Sequence, residues 1–438
     1  MINETKIDKG KAEFRIRKCL EQGEIYLING KIKLDQNTIN LGHILSLKGK
    51  KAEDFVYELA KNTFLTDWCY PNPKLPKPNN KEICDLLIVY DDIMIIWQIK
   101  DLKLDENNRY NETEVHRNME QLLTAKNRLL KLKIPIYLEN PRRGKELFDA
   151  TKIKQIYLIS ALLGKGEDYF VFMDTIKGSI IHTFTRNFTE IILKELDTIN
   201  DFVNYLKEKE CITSEKVVLN GDEEELLAYY LSNERKFDSL KKYNMVVIDE
   251  GMWNDIQKKP EYVAKNKENE ISYGWDEIID RAHESKSKEY EYIARELARP
   301  NRFERRTLAK AFFEAHVKAH EDIHNVYRRC VPTDNCTYCF LFVNKNVDRT
   351  IRQNMLSATC FVARGLHKNI QKVIGIATEM KLEPTCSYDY CLIDIPKWDD
   401  KNQKDMEEIQ KKTGIFTNIT KKVVHEDEYP INQNKDKI

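Results

Sequence analysis

The chain has 438 residues, 71 basic and 71 acidic, so its formal net charge of zero names no partner, and a nucleic-acid binder would need a local basic face. At ~100 to 200 residues per domain the length implies two to four units. Apolar residues at 41% can fill several cores, and no apolar run approaches the ~18 residues of a membrane span.

The opening MINETKIDKGKAEFRIRK lacks the apolar centre of a signal peptide, and ten cysteines without framework spacing suit a reducing compartment. A cytoplasmic protein with no membrane partner is expected. The alternating EIYLINGKIKLD predicts a hairpin turning at Asn29-Gly30, where both residues tolerate positive φ. Ala52, Phe55, Val56, Leu59 and Thr63 then share one helical stripe. The proline-rich CYPNPKLPKPNN predicts an extended loop leading into EICDLLIVYDDIMIIWQIKD, residues 82–101.

Beyond it lie a helical pattern over EVHRNMEQLLTAKNRLLKL and two strand-like runs, IPIYLEN and KQIYLISALL. The runs DYFVFMDT and GSIIHTF read as strands and 187–210 as helix. Charged helical patterns dominate 222–330. Residues 337–412 alternate strands and helices, suggesting a separate small α/β unit, and the tail after 425 reads as frayed.

The polar interruptions in residues 82–101 carry the chemistry. If Asp91 and Asp92 form a two-residue turn, Tyr90 faces Ile93 and Asp85 faces Gln98; the period of two adds Lys100 to the same face. A carboxylate and an amide oxygen so placed can share a hard divalent cation such as Mg²⁺, and the lysine ammonium can stabilise charge on a phosphate. The combination predicts metal-assisted phosphodiester hydrolysis. By its odd register Glu82 is expected on the other face or in the loop.

An Asp followed by a β-hairpin and Gln-x-Lys resembles the PD-(D/E)xK nuclease superfamily, and the QIK at 98–100 resembles its Mrr-like branch. The likeness covers roughly residues 49–135, with Cys84 where that family has proline and Gln98 where it has an acid. It implies an α/β fold with a restriction-endonuclease-like mixed sheet flanked by helices. Asp85 and Gln98 would be metal ligands for Mg²⁺ or Mn²⁺ and Lys100 the catalytic lysine, with an acid from the preceding helix, Glu53 in preference to Glu58.

His116, Arg117 and Gln121 are the options from the following helix. Basic residues Lys126, Arg128, Lys131 and Lys133, then Arg142, Arg143 and Lys145, are placed to contact phosphates. A second basic group is Arg295, Arg299, Arg302, Arg305, Arg306 and Lys310. The implied activity is endonucleolytic cleavage of DNA, with RNA left open, in bacterial antiphage defence or restriction. A partner protein of a defence system and a homodimer or larger assembly accompany that expectation. The implied organisation is an N-terminal β element (1–48), a nuclease domain (49–214), a helical region (215–330) and a C-terminal α/β domain (331–438).

Two readings of other classes compete. His320-Glu321-Asp322-Ile323-His324 is formally the H-E-x-x-H of zinc peptidases, with Glu321 as general base. Its histidines also continue, with His316, a row on a highly charged helix that needs no metal. Cys330, Cys336, Cys339 and His324 could supply zinc ligands, although Cys339 also opens an apolar strand run. Alternatively the nuclease fold is a catalytically inactive nucleic-acid-binding scaffold, which the neutral Gln98 makes plausible.

Overall fold

The structure, a computed structural model, describes residues 50–102, 110–131, 134–164, 173–214, 218–220, 222–248, 250–285, 287–321, 326–380 and 386–430. The hairpin expected at Asn29-Gly30, with Lys133 and His324, lies outside them. The described residues form two compact α/β units that meet in sequence at 262/263. No described helix is long and apolar enough to cross a membrane.

The first unit opens with α1 (Lys50–Phe64), which buries Phe55, Val56, Ala60 and Thr63. Cys69–Pro71 forms β1, an edge strand antiparallel to β2 (Leu86–Tyr90), so the start of the proline-rich segment is strand rather than loop. Pro71 at its end is compatible with an edge position. β3 (Ile93–Lys100) returns from β2 with Tyr90 facing Ile93 and Leu86 facing Trp97. Asp91 at the turn has φ of 51°, the left-handed conformation that tight hairpin turns require.

After α2 (Glu112–Lys131), β4 (Ile136–Asn140) and β5 (Gly144–Phe148) make a separate hairpin instead of joining the main sheet. The chain then supplies β6 (Gln155–Leu162), β7 (Met173–Ile176) and β8 (Ser179–Thr185). The main sheet runs β1-β2-β3-β6-β8-β7, with β3, β6 and β8 mutually parallel. β3 is buried on both faces, which is why it reads as an almost unbroken apolar run. Met94 and Ile96 pack with Leu122 and Met119 of α2. The opposite face carries Trp97 against Phe184 and Phe202, their ring centroids 5.7 and 6.0 Å away.

The helices α3 (Arg186–Glu195) and α4 (Ile199–Ser214) follow. The unit is completed by β9 (Val218–Asn220) paired parallel to β10 (Met245–Val247), with α5 (Glu223–Ser232), α6 (Met252–Lys258) and the start of α7 (Pro260–Asn269).

In the second unit α8 (Ser272–Glu284), α9 (Lys288–Ala298) and α10 (Arg302–Glu321) precede the sheet β11-β12-β13-β14. Its strands are Tyr327–Pro332, Cys336–Val343, Lys372–Glu379 and Asp389–Asp394. α11 (Arg349–Leu366) crosses between the parallel β12 and β13, and α12 (Asp400–Thr413) follows β14. Odd residues of β12, such as Cys339 and Leu341, face α11, whereas Tyr338, Phe340 and Phe342 meet Trp275 and Phe312 of α8 and α10. The helical region expected over 215–330 is thus divided between the units. Its last residues, 327–330, are edge strand rather than helix.

Candidate active site

The hairpin register brings Asp85, Gln98 and Lys100 to one end of the first unit's sheet. Asp85 and Gln98 are both buried, and the Gln98 Nε2 donates to Asp85 Oδ2 at 2.7 Å. The main-chain N–H of Ile99 donates to the same oxygen. Lys100, two residues beyond Gln98, is partly exposed on that face. The amide nitrogen of Gln98, and not its oxygen, therefore meets Asp85. A cation shared by the two would have to take Gln98 Oε1 and the second Asp85 oxygen.

Two further carboxylates complete the cluster. Glu53, in the first turn of α1, is raised first by its own burial and then by the charges of Glu82 and Asp54, while the Asn72 hydrogen bond and Lys100 pull it the other way; its charge in turn acts on Asp85. Glu58 is turned out to solvent and pairs with Lys61 at 2.6 Å. Glu82, expected on the other face or in the loop, lies in the irregular segment before β2 and beside Asp85, with the carboxyl groups hydrogen-bonded to each other. The reason is local pairing: Asn72 N donates to Asp85 O, Ile83 N to Pro73 O and Leu75 N to Lys81 O, so residues 72–75 continue the β1 edge along 81–85. This pairing also brings in Asn72, whose side chain hydrogen-bonds Glu53, while its Oδ1 is buried with no partner among the described residues.

Burial first, and then the charges of Glu53 and Glu82, push the Asp85 carboxyl up to about 7 against the lowering effect of the Ile99 N–H. A buried acid among acids is held near its proton-bound form, and a divalent cation can replace that proton. The donors are all hard oxygens, which fits Mg²⁺ or Mn²⁺ rather than a thiophilic metal. No three carboxylate oxygens from Glu53, Glu82 and Asp85 lie within 4.8 Å of one another. This is still compatible with Mg²⁺, which commonly uses one or two carboxylates and keeps several waters.

From α2, Asn118 hydrogen-bonds the β3 backbone. It is fully buried, and its Nδ2 donates to Gln98 O at 3.2 Å and to Ser160 Oγ at 2.8 Å. Asn118 interrupts the apolar stripe Val115, Met119 and Leu122, and that polar break was the available signal. His116 and Arg117 instead point outward, 62% and 70% exposed, near Glu120 and Glu114. Gln121 is partly buried, with Oε1 unpartnered among the described residues. A second cation stands at the site's end of the sheet: Lys100 aligns with Leu162 and Thr185, and the next residue, Arg186, donates to Leu163 O and covers the Phe55 ring.

Several basic residues expected to meet phosphate are occupied elsewhere. Lys126 donates to Ser179 Oγ at the opposite end of β8 from Thr185, and Arg128 holds Glu82 O. Arg142 lies 3.3 Å from Asp67, and Arg143 is mostly buried between Asp67, Glu146 and Tyr70, where it ties the β4–β5 turn to the chain before β1. In the second unit Arg302 and Arg305 are buried on Asp276, at 2.9 and 2.7 Å, and Arg306 is buried on the carbonyls of Asp427 and Glu428. These arginines are internal braces, not a surface patch.

The zinc expectations also separate. α10 ends at Glu321 among the described residues, and His316 is buried, its Nε2 at Glu379 O and its ring on Phe342. Cys336 and Cys339 are three residues apart on a regular strand, so they face opposite sides of the sheet and cannot share one ion. No family model, curated protein or solved structure matches the chain.

Proposed function

We propose that the first unit is a metal-dependent nuclease that hydrolyses phosphodiester bonds in DNA. The observation that carries this reading is the meeting of Asp85, Gln98 and Lys100 on one face, with Glu53 and Glu82 beside them, at the end of a buried mixed sheet.

In this reading Glu53, Asp85 and the Gln98 amide oxygen supply the metal's ligands, and the bound Mg²⁺ or Mn²⁺ contributes Lewis acidity toward the phosphate. Lys100 orients the attacking water and stabilises the charge that grows on the phosphoryl oxygens as the ester bond breaks. Arg186 offers a further phosphate contact from the same end of the sheet. Burial, with the charges of Glu53 and Glu82, favours the proton-bound form of Asp85 until the cation arrives. Asn118 fixes the β3 backbone, so Gln98 does not move when its amide is engaged. Bacterial defence or restriction, with a partner protein or a second copy, remains the setting implied by the sequence resemblance.

The test is cleavage of supercoiled plasmid and of matched DNA and RNA oligonucleotides with Mg²⁺ or Mn²⁺, comparing the unaltered protein with Asp85→Ala and Lys100→Ala. Metal-dependent cutting lost in both variants supports the site. Cutting that survives both overturns it, and preference for the RNA arm overturns the assignment to DNA.

A further inference from the structure

The second unit carries a row of sulfurs that plays no part in the proposed nuclease chemistry. Cys330 on β11 is directly opposite Cys339 on β12; Cys339 aligns with Gly375 on β13, and Gly375 with Cys391 on β14. Four adjacent strands thus present one row on the face covered by α11. Gly375 is the gap in that row, and Cys360 of α11 fills it: a Cβ at Gly375 would collide with the Cys360 sulfur and with Leu356. The thiols adjoin one another in space, Cys330 to Cys339, Cys339 to Cys360 and Cys360 to Cys391, and His367 at the end of α11 touches Cys330.

A tetrahedral thiolate metal site needs its ligands to converge on a point. These groups instead form a line, and no three of their ligand atoms lie within 4.8 Å of one another. The geometry does suit a disulfide. Opposed residues of an antiparallel pair have Cα atoms about 4.5 or 5.5 Å apart, within the usual disulfide range. β11 is an edge strand and Cys330 is half-buried there, open to a small oxidant, whereas Cys339 is fully buried and is reached through its neighbours.

We propose that Cys330 and Cys339 are a peroxide-reactive thiol pair, Cys330 taking the oxidant and Cys339 closing a disulfide across β11 and β12. The Cys330 sulfur attacks one oxygen of a hydroperoxide; the O–O bond breaks, an alcohol or water leaves with a proton, and Cys330 becomes a sulfenic acid. The Cys339 sulfur then attacks the Cys330 sulfur, the S–O bond breaks, and the hydroxide departs as water with the Cys339 proton. Two electrons pass from the thiols to the peroxide, and the disulfide is the product. The adjoining Cys339 thiol, and next the His367 imidazole, hold Cys330 at about 6 against the opposing effect of burial, which favours the reactive thiolate at neutral pH.

The experiment treats the reduced full chain with graded hydrogen peroxide, blocks residual thiols and maps peptides without reduction. The expected product is one crosslinked peptide pair joining Cys330 to Cys339, reversed by dithiothreitol, while the buried Cys84 stays reduced. In Cys339→Ser the crosslink is lost and dimedone traps Cys330 as its sulfenic acid. In Cys330→Ser peroxide consumption falls roughly tenfold or more, because the thiolate-prone sulfur at the sheet edge is gone. Thiols at 330 and 339 that remain fully alkylatable in the unaltered protein after peroxide, or a Cys339–Cys360 bond formed while Cys330 stays reduced, would overturn the proposal. These readouts are independent of nuclease activity.

Discussion

Replacing Asp85 by asparagine keeps the side chain's shape and an acceptor for the Ile99 N–H but removes a buried ionisable group that has Glu53 and Glu82 beside it. In the folded protein this carboxyl is raised from its ordinary 3.8 to about 7, so the native state binds more protons than the unfolded chain between those values. Stability from this group is therefore fully present below about pH 4 and declines as pH rises toward 7. Carrying the ionised form in the fold at neutral pH costs roughly 4 kcal/mol as an upper figure, at 1.36 kcal/mol per pH unit.

Asp85→Asn is accordingly expected to stabilise the metal-free protein above neutral pH by a few kcal/mol at most, and by nothing at about pH 4. Hydrogen exchange of peptides from β2 and β3 at the two pH values reads the local effect. Mg²⁺ should slow exchange there in the unaltered protein, with apparent affinity falling about tenfold per pH unit below 7, because the ion displaces one proton. In Asp85→Asn that protection should be lost. A variant no more stable than the original above neutral pH, or one that keeps its Mg²⁺ protection, would refute the claim that this carboxyl is frustrated without a cation.

Four further outcomes follow from named contacts. Lys100→Met should lower cleavage by roughly 100-fold or more while leaving Mg²⁺ protection of β2 and β3 intact, since the ammonium acts on the phosphate and not as a ligand. Arg143→Ala leaves Asp67 without its buried partner and should destabilise the first unit by about 3 kcal/mol in urea unfolding; the salt slope of DNA binding should stay unchanged. Gly375→Ala places a methyl group against Cys360 and Leu356 and should cost about 1 to 3 kcal/mol of stability by the same measurement. Burial keeps His316 neutral, lowered from 6.5 to about 4, so the second unit should lose up to roughly 3 kcal/mol as pH falls between those values; His316→Gln should flatten that loss.

The central hairpin was legible in the sequence because its register depends only on chain-local facts: a two-residue turn and a period of two. Those rules paired Tyr90 with Ile93, and thereby Asp85 with Gln98, without knowledge of any distant residue. The same periodicity separated Glu53 from the solvent-facing Glu58. It also contained two signals that pattern counting passed over, the polar Asn118 inside an apolar helical stripe and the three-residue spacing that sends Cys336 and Cys339 to opposite faces.

What only the tertiary structure decided were the contacts between segments far apart in the chain or joined by irregular backbone. Glu82 meets Asp85 because residues 72–75 pair back along 81–85, which no periodic rule predicts in a stretch with four prolines. Clusters of arginine look alike in sequence whether they face water or carboxylates, and Asp67 and Asp276 are what turned Arg143, Arg302 and Arg305 inward. The sulfur row needs four strands in one order and a glycine beneath a helix, so Cys330, Cys339, Cys360 and Cys391 become neighbours only once the sheet is assembled.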